Sequence, residues 1–187
     1  MVQAATKPLT LAEFLELPET KPASEFISGT IIQKPMPQGK HSLIQRELSF
    51  ALTVSCRAEK TAQAFPELRC TLGDHSIVPD IAVICAERIP RDDDGGVANA
   101  FNLYPDWTIE ILSPNQSQHR VMRNVFHCLD HGTEMGWLID LKEQLVIVYY
   151  GDRRPAFFDQ PEQVLPSPSF VKDFDLALGE MFAWLLE

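Results

Sequence analysis

Two stretches of this chain, Ile77-Val78-Pro79-Asp80-Ile81-Ala82-Val83-Ile84 and Trp107-Thr108-Ile109-Glu110-Ile111-Leu112, are apolar almost throughout, and each encloses one acid. Runs of this length, rich in β-branched residues, read as strands that belong to a core. Helical patterns alternate with them. Ile44, Leu48, Ala51, Leu52 and Ser55 recur at helical period and predict a helix over 41–58. Val121, Val125 and Leu129, with Met122 and Phe126, form the apolar stripe of another, opened by Ser113-Pro114-Asn115 and stopped by Gly132.

The remaining segments fill out a mixed architecture. Thr10 and Glu13 stand three apart as a capping box, so a short helix carries Leu11, Phe14 and Leu15 and ends at Pro18. Glu25-Phe26-Ile27 and Thr30-Ile31-Ile32 flank Ser28-Gly29, a hairpin signal. Strands are expected over 67–72 and 76–85, joined at Gly73-Asp74, and over 107–112. Trp137-Leu138-Ile139 and Leu145 to Tyr150 read as a hairpin turning near Lys142-Glu143. A last helix is expected over roughly 175 to 186, after an irregular Pro-rich stretch. Strands and helices share one core, which makes the class α/β or α+β, a sheet flanked by helices. With 187 residues the chain is expected to form a single domain over 1–187.

Composition narrows what such a domain does. The chain is 45% hydrophobic and 22% charged, which excludes a disordered or collagen-like chain. No apolar run approaches the ~18 residues of a membrane span, and the opening MVQAATKPLT lacks a signal-type apolar stretch, so a cytoplasmic protein is expected. The net charge of −10 argues against coating nucleic acid through a general basic field, but leaves room for a local basic groove. Cys56, Cys70, Cys85 and Cys128 contain no CxxC pair, so free buried thiols are expected rather than disulfides.

The two enclosed acids carry the chemistry. An ionised carboxylate in an apolar strand must be paired, protonated or bound to a cation. Each acid by itself could cap a strand end or pair with an arginine. If their strands are neighbours, Asp80 and Glu110 can share Mg²⁺, which takes carboxylate oxygens and waters. A cation held there acidifies water and neutralises charge on a phosphate under attack.

Pro79-Asp80, followed after a gap by Glu110-Ile111-Leu112-Ser113-Pro114, resembles the PD-(D/E)-x-K nuclease signature. More narrowly, the chain resembles the Uma-two family of restriction endonuclease-like proteins. The likeness runs through Glu25-Phe26-Ile27-Ser28-Gly29-Thr30-Ile31, Gly39-Lys40-His41-Ser42, Val78-Pro79-Asp80-Ile81-Ala82-Val83, Ile109-Glu110-Ile111-Leu112-Ser113-Pro114, and Gly132 with Gly136-Trp137-Leu138-Ile139-Asp140. The resemblance implies a restriction endonuclease-like core, a central mixed sheet with helices on both sides. It implies metal ligation by Asp80, Glu110 and the backbone carbonyl of Ile111, with Glu25 as an additional acid.

One element of the pattern differs. The signature lysine belongs two residues after the Glu, where this chain has Leu112, and the family commonly moves it to a helix position that aligns with Asn124. No lysine stands between Lys60 and Lys142. The expectation is therefore a site without its lysine, in which Asn124 takes that place and Arg120 or Arg123 supplies charge; arginine is no general base.

Other constellations say less. His127 and His131, four apart on a helix, have a spacing that suits Zn²⁺, but no third ligand is evident in sequence and a surface or capping pair is expected. Asp92-Asp93-Asp94-Gly95 lacks the closing Glu of a calcium loop and reads as a solvated acidic loop. Lys40, His41 and Arg46, at a helix start, either contact phosphate or form an ordinary solvated end. No GxGxxG, P-loop or G-x-S-x-G is present, so no nucleotide cofactor and no serine hydrolase chemistry are expected.

The leading expectation is an endonuclease that hydrolyses DNA with Mg²⁺ or Mn²⁺ and works as a homodimer, since two strands invite two symmetric subunits. The alternative is a nuclease fold that no longer cuts and serves as a nucleic-acid or protein-binding module. A third reading is a phosphoesterase with a substrate other than DNA.

Overall fold

The computed structural model describes residues 9–114 and 116–186. A six-stranded mixed sheet forms the centre. It holds β3 (Ala62–Pro66), β6 (Ile81–Cys85), β7 (Trp107–Ile111), β8 (Met135–Asp140), β9 (Leu145–Tyr150) and β10 (Pro155–Phe158), in the order β10-β9-β8-β7-β6-β3. Only the central β7–β8 pair is parallel, because α3 (Gln118–Asp130) crosses over between them. A smaller antiparallel sheet holds β1 (Ser24–Ile27), β2 (Thr30–Gln33), β4 (Cys70–Leu72) and β5 (His75–Ile77), in the order β2-β1-β5-β4.

Alternation along the central strands sorts side chains onto two faces. Trp107, Ile109 and Ile111 point into one core with Ile44, Leu48 and Leu52 of α2 (Gly39–Glu59) and Leu178, Met181 and Phe182 of α4 (Leu178–Ala183). On the other face, Leu138, Ile147 and Tyr149 pack against Val121, Val125 and Leu129 of α3. A third cluster, with Cys70, Ile77, Ala82, Ile84 and Cys128, joins the small sheet to this second face. A Cβ on Gly136 would come within 2.3 Å of Val125 Cγ1, so only glycine lets α3 lie this close to β8.

Several expected elements stand as read. α1 (Leu11–Leu15) has the Thr10–Glu13 capping box, and Ser28-Gly29, both at positive φ, turn the β1–β2 hairpin. The β8–β9 hairpin and α2 follow their patterns, and the four cysteines are unpaired.

Others differ. The strand expected over 76–85 is two strands in different sheets, because Pro79 offers no N–H and the Val78 N–H donates to Glu25 instead of a neighbouring strand. Two edge strands, β3 and β10, were not expected. Both are short, and each has a proline at one end, as edges tolerate. α3 begins at Gln118 rather than directly after Ser113, since Ser113 and Gln116 close a turn on each other first. Asn115, expected in that helix opening, lies outside the described residues. The final helix starts at Leu178, where Glu180 accepts from the Ala177 N–H, not at 175. No described helix is long and apolar enough to cross a membrane.

Candidate active site

The break between β5 and β6 places Asp80 at the point where the chain passes from one sheet to the other. Ile81 pairs with Ile109 across the antiparallel β6–β7 ladder, so one step further along the register sets Asp80 opposite Glu110. The Ile111 N–H donates to Asp80 Oδ2 at 2.7 Å, which fixes the carboxylate against β7. Asp80, Glu110 and Glu25 are all buried, exposed by 2%, 2% and 4%. Glu25 arrives from β1, where its Oε1 accepts from the Val78 N–H at 2.9 Å and its Oε2 from Asn124 Nδ2 at 3.0 Å.

The sequence pattern predicts no lysine here, and the structure corrects it. Lys34 Nζ donates to Asp80 Oδ1 and to the Val78 carbonyl, both at 2.7 Å, and lies 3.5 Å from Glu110 Oε2. The ammonium comes from just beyond β2, upstream of both acids. Glu25 pairs with Ile32 in the hairpin, and Lys34, two residues past Ile32, falls on that same face. That alternation is the signal that could have found it. Asn124, expected in the lysine's place, instead holds Glu25 from α3. Arg120 and Arg123, exposed on α3, line a cavity of about 690 Å³ beside it.

His41 also turns inward rather than to solvent. Its Nε2 lies 3.1 Å from Asp80 Oδ2, and since an ionised carboxylate only accepts, Nε2 carries the proton of that bond. Gln45, one turn further along α2, donates to the Asp80 backbone carbonyl at 2.8 Å. Lys40 and Arg46 stay exposed.

Burial and charge act against each other at this centre. Burial would raise the Asp80 pKa, but the Lys34 ammonium and His41 outweigh it and hold it at about 2. Burial dominates at Glu110 and, with the Asp80 and Glu25 charges, raises its pKa well above the usual range against the pull of Lys34. Burial would strip the Lys34 proton, yet the Glu110, Asp80 and Glu25 carboxylates more than offset it and keep the ammonium charged. Three carboxylates thus share one ammonium, so the site is short of positive charge.

The donor set suits a hard divalent cation. Its ligand atoms are carboxylate oxygens, and Asn124 Oδ1 and His41 Nδ1 are buried with no partner. A cavity of about 30 Å³, lined in part by Glu25, Lys34, Glu110 and Asn124, is large enough for an ion or a water.

The profile of the Uma2 family, described as "Putative restriction endonuclease", matches residues 11–179. The chain belongs to the Uma2 family. A crystal structure of a putative nuclease belonging to DUF820 from Anabaena variabilis is 56% identical, with a TM-score of 0.93, and the match covers 95% of this chain and 99% of that one. No curated protein matches this chain. The expected restriction endonuclease-like fold, a mixed sheet with helices on both faces, is the fold of this Uma2 protein.

Proposed function

We propose that this protein is a divalent-metal-dependent endonuclease that hydrolyses phosphodiester bonds in DNA. The observation that carries the reading is the Lys34 ammonium set between Asp80 and Glu110, at 2.7 and 3.5 Å. The three residue types of the PD-(D/E)-x-K signature meet in space, with the lysine supplied from the β2 end of the chain rather than from β7.

Asp80, Glu110 and the Ile111 carbonyl would hold Mg²⁺, or Mn²⁺ in its place, with Glu25 as the further acid. Such an ion acidifies water and neutralises charge on the phosphate. Lys34 keeps a charged donor beside the acids, where it stabilises the negative charge that builds on a phosphate oxygen during attack. Asn124 is a positioning residue that fixes Glu25, and His41 and Gln45 do the same for Asp80. Arg120 and Arg123 on one side, and Lys40 and Lys142 around a second cavity of about 700 Å³, supply local positive charge for a phosphate backbone despite the net charge of −10. The same reading takes residues 1–187 as one domain that acts in the cytoplasm as a homodimer, one copy for each strand. The binding-module alternative rests on a missing lysine and on the net charge of −10, and the Lys34 ammonium speaks against the first of these.

A plasmid-nicking assay with Mg²⁺ and Mn²⁺ tests the proposal, run beside Asp80→Ala, Glu110→Ala and Lys34→Met. Cutting by the wild type that disappears in all three is expected. Undiminished cutting by Asp80→Ala would sink the site assignment. No cutting by the wild type, with Mg²⁺ still bound in calorimetry, would favour the binding module.

A further inference from the structure

The nuclease reading leaves a group of histidines unused. His127 on α3 and His131 at its C-cap lie four apart, and the β4–β5 turn brings a third imidazole to them. The His75 ring stacks on His127 with centroids 3.8 Å apart, and the His131 ring, tilted against His127, has its centroid 4.4 Å away. The sequence offered the pair His127 and His131 but no further ligand, and the fold supplies His75, with its neighbour Asp74 behind it.

The hydrogen bonds fix which nitrogens are free. Asp74 Oδ1 lies 2.6 Å from His75 Nδ1. A carboxylate only accepts, so Nδ1 carries the proton and the neutral ring presents a bare Nε2. A carboxylate behind an imidazole is the arrangement that orients metal-ligating histidines. His127 Nε2 is buried with no hydrogen-bond partner. One donor atom from each of Asp74, His75 and His127 lies within 4.8 Å of the other two. Burial, then the neighbouring His75 and His131, hold the His127 pKa below its ordinary value, so the ring is a neutral ligand at physiological pH. His75 and His127 also line the 690 Å³ cavity, which gives an ion a way in.

We infer that this cluster is a second cation site, distinct from the acid pair, which takes a transition-metal dication of the zinc type on His75 and His127, with the Asp74 carboxylate behind His75 to orient it and solvent completing the donor set. Imidazole nitrogens select zinc, nickel or copper over magnesium. The site has a mechanical consequence. The Asp74 carbonyl accepts from the Ser28 N–H at 3.3 Å and its Oδ2 from Ser28 Oγ at 2.9 Å, so both turns of the small sheet meet α3 at this point. An ion here clips the small sheet, which carries Glu25, to the helix that carries Asn124.

Calorimetric titration with Zn²⁺ tests this, together with the melting temperature in Zn²⁺ and in chelator. It uses the full chain as wild type, as the acid-site variant Asp80→Asn/Glu110→Gln, and as His127→Ala, His75→Phe and Asp74→Asn. His75→Phe keeps a ring on the His127 face and removes only the nitrogen donor, so it remains informative if His127→Ala does not fold. One Zn²⁺ is expected to bind both the wild type and the acid-site variant and to raise their melting temperatures. Binding should weaken more than about 100-fold in His75→Phe, and about 10- to 100-fold in Asp74→Asn, the range for an orienting carboxylate. Zn²⁺ binding by His75→Phe that equals the wild type, binding lost only in the acid-site variant, or no binding by the wild type would each overturn the inference. None of these outcomes bears on cutting with Mg²⁺, so the two proposals fail separately.

Discussion

Lys34 Nζ lies 2.7 Å from Asp80 Oδ1 although 46 positions separate the two residues. This ion pair joins the end of the β1–β2 hairpin to the point where the chain leaves the small sheet for the large one. It puts the only ammonium that the described residues bring to the acids on a different element from either acid. It also neutralises part of a buried cluster that would otherwise be strongly repulsive.

Replacing this lysine separates its two effects. Lys34→Met should lower DNA nicking by about 100-fold or more, the loss typical when one donor to developing charge is removed. It should also destabilise the metal-free protein by about 3–5 kcal/mol, since buried carboxylates lose their counter-charge. Mg²⁺ then does the same electrostatic work, so the rise in melting temperature on adding Mg²⁺ should be larger for Lys34→Met than for the wild type. Differential scanning fluorimetry reads this directly, and an equal rise in both proteins would contradict it.

Gly136 sets how closely α3 approaches the sheet. Gly136→Ala should lower stability by about 1–3 kcal/mol in urea titration, the usual range for overpacking. Val125→Ala removes the atom that the new methyl meets. The double variant should therefore be less destabilised than the sum of the two single changes.

His127 makes a signed prediction about pH. A base whose folded pKa is lowered binds fewer protons folded than unfolded between that value and its unfolded value, near 6.5. Its contribution to stability is complete above this window and is lost as pH falls through it. His75, His131 and Asp74 face the ring; the histidines lower its pKa and Asp74 raises it. Glu110, with a raised pKa, titrates in the opposite sense, so the measurement is the difference between wild type and His127→Gln in chelator. That stability advantage of the wild type should shrink from about pH 7.5 to about pH 5.5.

Arg120 and Arg123 should act on affinity rather than on chemistry. Arg120→Ala/Arg123→Ala should weaken DNA binding at low salt and reduce the salt slope by about one for each phosphate that the variant no longer neutralises. Fluorescence anisotropy across a salt series reads both, and an unchanged slope would place the duplex elsewhere.

Much of the architecture was legible because its cause is local. The Thr10–Glu13 capping box, the Ser28-Gly29 turn and the apolar stripes of α2 and α3 depend on residues within a few positions of one another. The break at Pro79 was harder to read. The apolar run continues through it, and only the pairing partners of β5 and β6 show that the two halves belong to different sheets.

The sequence by itself determined which residues had to be explained. Asp80 and Glu110 are acids inside apolar strands, and burying such a charge is so costly that a partner of some kind was required. Only the tertiary structure decided what the partners are. Lys34 looks like part of a Pro-punctuated loop, Glu25 meets Asn124 across 99 positions, and His75 reaches His127 only because the β4–β5 turn folds onto α3. The cost of an unpaired charge can be read one residue at a time, whereas the identity of its counter-charge depends on strand register and on which elements pack together.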